Sequence, residues 1–223
     1  MLNAGVARVD ITPKVGVAHA GWGAQTHQVS LGNDMPLHVT ALVVTKDDVE
    51  LAIVDVDIGI FTNQQDKDIR ELISKESGIA FGNIRLAYTH THSGPITFGQ
   101  WIKDGIDLAN EWWNTIPAAC AKAVVDAKAS AQPARTGFGR GSCDVNINRR
   151  PARDNGELFT GRNWDGAVDH SVDVVSFDDA DDNPIATIVN YAMHPTIMAH
   201  ENQWVTPDFP GPMRSVVEHT VGG

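Results

Sequence analysis

The chain has 223 residues, 42% of them hydrophobic, and 28 acidic against 17 basic side chains give a formal net charge of −11. That length suits one large domain with a real core. The acid excess argues against nucleic acid and anionic membrane as partners and leaves a small-molecule or neutral lipid substrate open.

The first residues run directly into Val6-Ala7-Arg8-Val9-Asp10-Ile11. No basic stretch leads into an apolar one, so no secretory leader and a cytoplasmic protein are the expectation. Residues 5–11 alternate apolar and polar and close on Thr12-Pro13, which predicts a first strand. Residues 15–36, rich in Gly and polar side chains, read as a long loop. Residues 38–46 and 50–58 predict two strands joined as a hairpin by Asp47-Asp48. Leu51-Ala52-Ile53-Val54 is apolar on both faces, the mark of a central, covered strand. Residues 63–76 predict an amphipathic helix, with Ile69, Leu72 and Ile73 on its apolar side and Asn63 as its N-cap.

A strand over 83–89 leads into His90. One long helix is predicted over 106–129, with Cys120 buried in it. Cys143 is remote and in no CxxC pattern, so two cysteines make no disulfide framework. Strands are predicted over 134–141, 171–177 and 184–193, the last opened by the turn Asp181-Asp182-Asn183-Pro184. A helix over 209–220 follows, capped by Gly222-Gly223. No run approaches the ~18 apolar residues of a membrane span. The expected fold is α/β or α+β, a single domain over 1–223 with a mixed β-sheet core flanked by helices. Its end, one helix after the last strand, predicts that a C-terminal half or a partner chain completes it.

Two segments carry chemistry. Thr89-His90-Thr91-His92-Ser93-Gly94-Pro95 leaves a strand, and histidines at i and i+2 of an extended segment face the same way. Strand ends in α/β sheets are where ligands bind, and neutral imidazole is a good zinc ligand. A surface pair of histidines fits that spacing equally well. Asn190-Tyr191-Ala192-Met193-His194-Pro195-Thr196 repeats the pattern, an apolar strand running into a histidine, with Pro195 fixing the turn. Alone, His194 also fits a satisfied core histidine. Asp57, at a strand end, fits either a turn residue or a hydrogen-bond partner to a metal-bound histidine.

The order of these motifs resembles the neutral/alkaline ceramidase family. Ala4 to Pro13 looks like that family's opening strand and Asp55-Val56-Asp57-Ile58-Gly59 its second core strand. Thr89 to Pro95 is similar to its most specific motif, Asn146-Ile147-Asn148-Arg149 to its Asn-Arg segment, and His194-Pro195-Thr196 to its second histidine motif. The resemblance implies a zinc enzyme that splits an amide bond with water, on an N-acyl lipid such as ceramide or on another amide or ester. It implies that His90 and His194 bind zinc, that His92 sits beside the metal as a proton-transfer group and that Arg149 contacts substrate. It also implies that a glutamate and a tyrosine from a C-terminal half complete the site; a chain without them would be a non-catalytic fragment with a partial metal site.

Other features are read as ordinary. The acidic turn at Asp178, Asp179, Asp181 and Asp182 lacks the order and closing Glu of a calcium loop. His27, His38, His170, His200 and His219 have no partner motif. Trp101, Trp112 and Trp113 fit core packing or an apolar acyl pocket. Ser93 lacks a Gly-x-Ser-x-Gly elbow. Asp208 resembles the family's Ser-Gly-Asp segment, as a helix cap or a residue near the site.

Overall fold

A computed structural model describes residues 1–19, 21–97 and 102–222. In chain order its elements are β1 (Leu2–Asp10), β2 (Gly32–Asn33), β3 (His38–Lys46), β4 (Val49–Val56), α1 (Asn63–Ser77), β5 (Ile84–Tyr88), α2 (Ile106–Trp113) and α3 (Ile116–Ala129). There follow β6 (Gln132–Pro133), β7 (Arg135–Ser142), β8 (Ser171–Asp178), β9 (Pro184–Tyr191), β10 (Trp204–Val205) and α4 (Pro210–Val221). Trp101 and Gly223 lie outside the described residues. No described helix is long and apolar enough to cross a membrane.

The central sheet has the order β5-β4-β3-β1-β6. β3 and β4 form the expected hairpin, with Lys46 opposite Val49. β4 and β5 run parallel, joined through α1, so the sheet is mixed, as expected. One face is built from Val39, Ala41 and Val43 of β3 and Ala52, Val54 and Val56 of β4, all buried. Ile69 and Ile73 of α1 and Ile116, Cys120, Ala123, Val124 and Ala127 of α3 join them in one cluster. Burying each aliphatic chain of this kind contributes roughly 1.5–3 kcal/mol. The opposite face offers Leu2, Ala4, Leu42 and Val44, which pack on Val175, Phe177, Ala186 and Ile188. Those residues belong to a second, antiparallel sheet of order β7-β8-β9. The expectation that β4 is covered on both faces is met only in part, because Leu51 is 45% exposed.

Two local expectations are corrected. The single helix over 106–129 is two, α2 and α3. Pro117, near the start of α3, has no N–H to give and its ring crowds the carbonyl four residues earlier, so α2 cannot continue through it. The N-cap of α1 is Thr62, whose hydroxyl accepts from Gln65 N while the Gln65 side chain accepts from Thr62 N. That reciprocal capping box outcompetes Asn63 one residue later. Gly5 explains how α3 lies so close to β1: a Cβ there would stand 2.1 Å from the Ala127 carbonyl.

The loop at 15–36 is not free. Ala18 pairs with Val29 and His19 with Pro95, and β2 pairs with β10. Gly105, at φ +73°, leaves no room for a Cβ beside Gly16, and its carbonyl accepts from Ala18 N and Ala109 N. The loop is thereby held against the exit of β5, where His90 and His92 stand.

Candidate metal centre

β5 ends at Tyr88, and the backbone turns sharply. His90 adopts φ +63°, an uncommon conformation for a residue with a side chain. It is held by backbone bonds from Thr89 N to Val56 O and from His90 N to Ile58 O. The strand exit thus stays stitched to the end of β4 while the His90 ring swings inward. His92 lies two residues on, its backbone N 3.4 Å from Pro195 O, and Pro195 follows His194 beyond β9. The two motifs, about a hundred residues apart in sequence, are thereby brought face to face.

Ring centroids are 4.9 Å apart for His90 and His92, 4.9 Å for His90 and His194, and 4.8 Å for His92 and His194. One nitrogen of each ring lies within 4.8 Å of those of the others. All three are half-buried. Among the described residues, no carboxylate or thiolate joins this group. His90 Nδ1 donates to the Gly59 carbonyl at 2.5 Å, which leaves Nε2 with its lone pair. A second-nitrogen bond of this kind to a carbonyl is the usual support of a metal-bound histidine. Burial, then the Arg149 cation, holds His194 down to about 4. Burial, then His90, lowers His92 as well. Both rings are therefore neutral near pH 7, the form that ligates a metal. Neutral imidazoles of this kind are donors that suit a borderline cation such as zinc.

Arg149, exposed on the segment after β7, places Nη1 2.5 Å from His194 Nδ1. Arginine only donates, so Nδ1 accepts and the proton of His194 sits on Nε2. From there it points to His92 Nε2 at 3.0 Å. The segment is anchored by Asn146, whose side-chain amide donates to the Asp169 and Ala192 carbonyls, at 2.8 and 2.7 Å. His170, read as ordinary, steadies Asn146 through Nδ1 to Oδ1 at 2.8 Å.

Asp57 stands elsewhere. Fully buried, it accepts from His38 N at 2.9 Å and from Arg214 Nη2 at 2.7 Å, and bonds to no histidine ring. The carbonyl of Gly59, two residues on, is what touches His90. A backbone carbonyl leaves no trace in residue type, so sequence reasoning had no signal for it.

Beside His90 and His92 opens a cleft of about 250 Å³, walled by Ile58, Ile60, Pro95, Ile96, Trp112 and Trp113. Trp112 is buried and donates through Nε1 to the Ile11 carbonyl, so it is both core and wall. Trp22, on the loop that sequence reading left blank, packs its ring 4.8 Å from that of His92. His19 was also missed: it is fully buried with Nδ1 3.0 Å from His27 Nε2. His27 is therefore its partner and not a bystander.

A histidine trio at the exits of β5 and β9, strands of two different sheets, opens on an apolar cleft and forms a candidate metal site. The chain belongs to the neutral/alkaline non-lysosomal ceramidase family: residues 2–223 match its N-terminal region. It is 34% identical over 146 residues to neutral ceramidase B of Dictyostelium discoideum, covering 63% of this chain and 20% of that protein. It is 26% identical over 229 residues to neutral ceramidase of Pseudomonas aeruginosa, covering 97% of this chain and 33% of that protein. The crystal structure of neutral ceramidase from Pseudomonas aeruginosa superposes over 99% of this chain and 36% of that one, with TM-score 0.75 and 23% identity, and so shares the fold. A second, described as ceramidase complexed with C2, gives TM-score 0.73 at 24% identity over 99% of this chain and 35% of that one. The chain thus spans a fifth to a third of the length of these curated relatives.

Proposed function

We propose that this chain forms the N-terminal part of a zinc-dependent amidohydrolase that cleaves the amide of an N-acyl lipid such as ceramide. The observation that carries the reading is the convergence of His90, His92 and His194 on the mouth of an apolar cleft. His90 and His194 are the zinc ligands in this reading, and the remaining ligands come from a C-terminal region or a partner chain. Bound zinc would supply a water acidified to a pKa of ~7 and a Lewis acid for the carbonyl. His92, neutral at pH 7, takes the proton-transfer role: it would accept the proton of that water and pass it to the leaving nitrogen. Its ring is held for this by Trp22 on one side and His194 on the other. The cleft lined by Ile60, Ile96 and Trp113 suits a hydrocarbon chain, which favours an acyl lipid over a small polar amide.

Arg149 is the substrate-contacting residue in this reading, and its present bond supports that. If His194 ligates through Nε2, its proton moves to Nδ1, which no longer accepts from Arg149. If it ligates through Nδ1, the lone pair is already taken. Either way the guanidinium loses its acceptor at His194 and is left facing the site with its donors available.

The test is metal content and activity together. Wild type with the C-terminal region supplied is expected to hold about one zinc and His90→Ala/His194→Ala none. With the C-terminal region supplied, a ceramide with a fluorescent acyl chain is expected to be cleaved faster than water-soluble amides or esters. A faster soluble ester would move the substrate class to esters; no zinc in wild type would overturn the metal reading.

A further inference from the structure

The two histidine motifs come from different sheets, at the exits of β5 and β9, and meet through their rings and the His92 N–Pro195 O bond. A third segment, Thr206–Asp208, binds both. Towards the first motif, Thr91 Oγ1 donates to the Thr206 carbonyl at 2.8 Å, and Thr206 N donates to the Ser93 carbonyl at 2.9 Å. Ser93 N in turn donates to Thr91 Oγ1 at 3.1 Å. Towards the second motif, the Asp208 carboxylate accepts from Ile197 N at 3.2 Å and Met198 N at 3.0 Å. It also accepts from Phe209 N at 2.7 Å. Thr91, Ser93, Thr206 and Asp208 are all at most 2% exposed, so water cannot replace these bonds.

Backbone conformation marks the same place independently. Among the described residues, five other than glycine have positive φ, and two of them, Asp47 and Asp182, are in hairpin turns. The other three are His90 at +63°, Ala199 at +58° and Asp208 at +61°. Strained conformations of this kind persist only where the surroundings over-determine them, and they cluster at functional sites. Here they fall on the first motif, on the turn after the second, and on the segment that joins the two.

We infer that Thr206–Asp208 is a clamp and Asp208 a positioning residue: it sets the distance between the His90–His92 pair and His194 without touching either motif's rings. The inference rests on the metal-centre reading for its purpose, but its geometry can be tested apart from it. A backbone N–H pair locked by one buried carboxylate is a strong restraint, because charge-assisted bonds are roughly twice as strong as neutral ones. Asp208→Asn keeps the size of the side chain but leaves one acceptor oxygen for three N–H groups and turns an amide N–H towards another N–H.

The experiment is nuclear Overhauser spectroscopy on the chain with labelled histidine, without added metal. In wild type, His194 ring protons give cross-peaks to His90 and to His92. In Asp208→Asn both are expected to be lost, while the His90–His92 cross-peak, internal to one strand exit, remains. Ile73→Val, a core change remote from the site, controls for general loss of stability and is expected to keep all three. Should Asp208→Asn not fold, Thr91→Val removes only the hydroxyl that binds Thr206 and is read in the same way. Survival of the His194 cross-peaks in a folded clamp variant overturns the inference. A zinc titration then separates the two ideas. Asp208→Asn is expected to weaken zinc about ten-fold, the lower end of the effect of removing an outer support, and Ile73→Val not at all. A wild type that binds no zinc with the C-terminal region supplied refutes the proposed function, while the cross-peaks still decide the clamp.

Discussion

Asp57 and Arg214 set a test of what the buried acid next to the site is for. Asp57 is fully buried; its Oδ2 holds two bonds, and Oδ1 has no hydrogen-bond partner among the described residues. Arg214, on α4 and 18% exposed, is its counter-charge at 2.7 Å; Asp55, at 3.8 Å from Arg214, is itself 42% exposed. Arg214→Met keeps the packing of α4 on the sheet but leaves a buried carboxylate with one backbone donor. Removing one partner of a buried pair costs about 3–5 kcal/mol, a large share of the 5–15 kcal/mol that holds a domain together. Asp57→Asn/Arg214→Met, which removes both charges, is expected to lose less than the two single changes summed, with a coupling of about 1.5–3 kcal/mol. Urea unfolding of the four proteins measures this, provided the slopes agree. Zinc content is read on the same samples, and Asp57→Asn is expected to hold as much zinc as wild type, because no histidine ring bonds to Asp57. A loss below 1 kcal/mol for Arg214→Met, or strict additivity, refutes the ion-pair account. Loss of zinc in a folded Asp57→Asn would restore Asp57 to the metal site.

Three further outcomes are expected. Burial, then His27, holds His19 down to about 4 from its ordinary 6.5. The unfolded chain therefore takes up this proton below about pH 6.5 and the folded chain only near 4, so stability is lost as the pH falls through that window, by about 3 kcal/mol; in His19→Gln, urea midpoints should fall less steeply between pH 7 and 4.5. Gly5→Ala places a methyl group 2.1 Å from the Ala127 carbonyl and is expected to cost about 1–3 kcal/mol, seen as a lower melting temperature; an unchanged Tm would mean that α3 is free to shift. His90→Ala is expected to abolish zinc binding with little loss of stability, checked by elemental analysis and calorimetry on one preparation, because its ring is only half-buried.

The fold was legible where periodicity and turn chemistry agree. The Asp47-Asp48 hairpin, the strand into His90, the helix with Ile69 and Ile73, and the Asp181–Pro184 turn each carry a local signal, and each element ends within about two residues of expectation. The break between α2 and α3 was written in Pro117 and overridden by the apolar period around it. The pairing of β2 with β10 was not legible: two residues in each strand carry no period, and the contact is made by Gly32 under the Trp204 ring, a relation between places 172 positions apart in the chain.

The site divides in the same way, and the division has a physical cause. An imidazole cluster can only be built from histidines, so residue type and spacing announce His90, His92 and His194. What fixes their separation needs no rare residue. The Gly59 carbonyl, the Thr91 hydroxyl and the backbone of Thr206 are generic groups, and only their burial makes them decisive, since an unmet buried polar group costs about 1–3 kcal/mol. Asp208 lies between these cases. A carboxylate in Thr206-Pro207-Asp208-Phe209-Pro210 reads locally as a cap for the helix after it, and it does accept from Phe209 N. Its two bonds to Ile197 and Met198 come from a turn ten residues earlier that no local pattern links to it. The chemistry of such a centre is therefore spelled out in side chains, whereas its geometry is held by backbone groups that any sequence could supply.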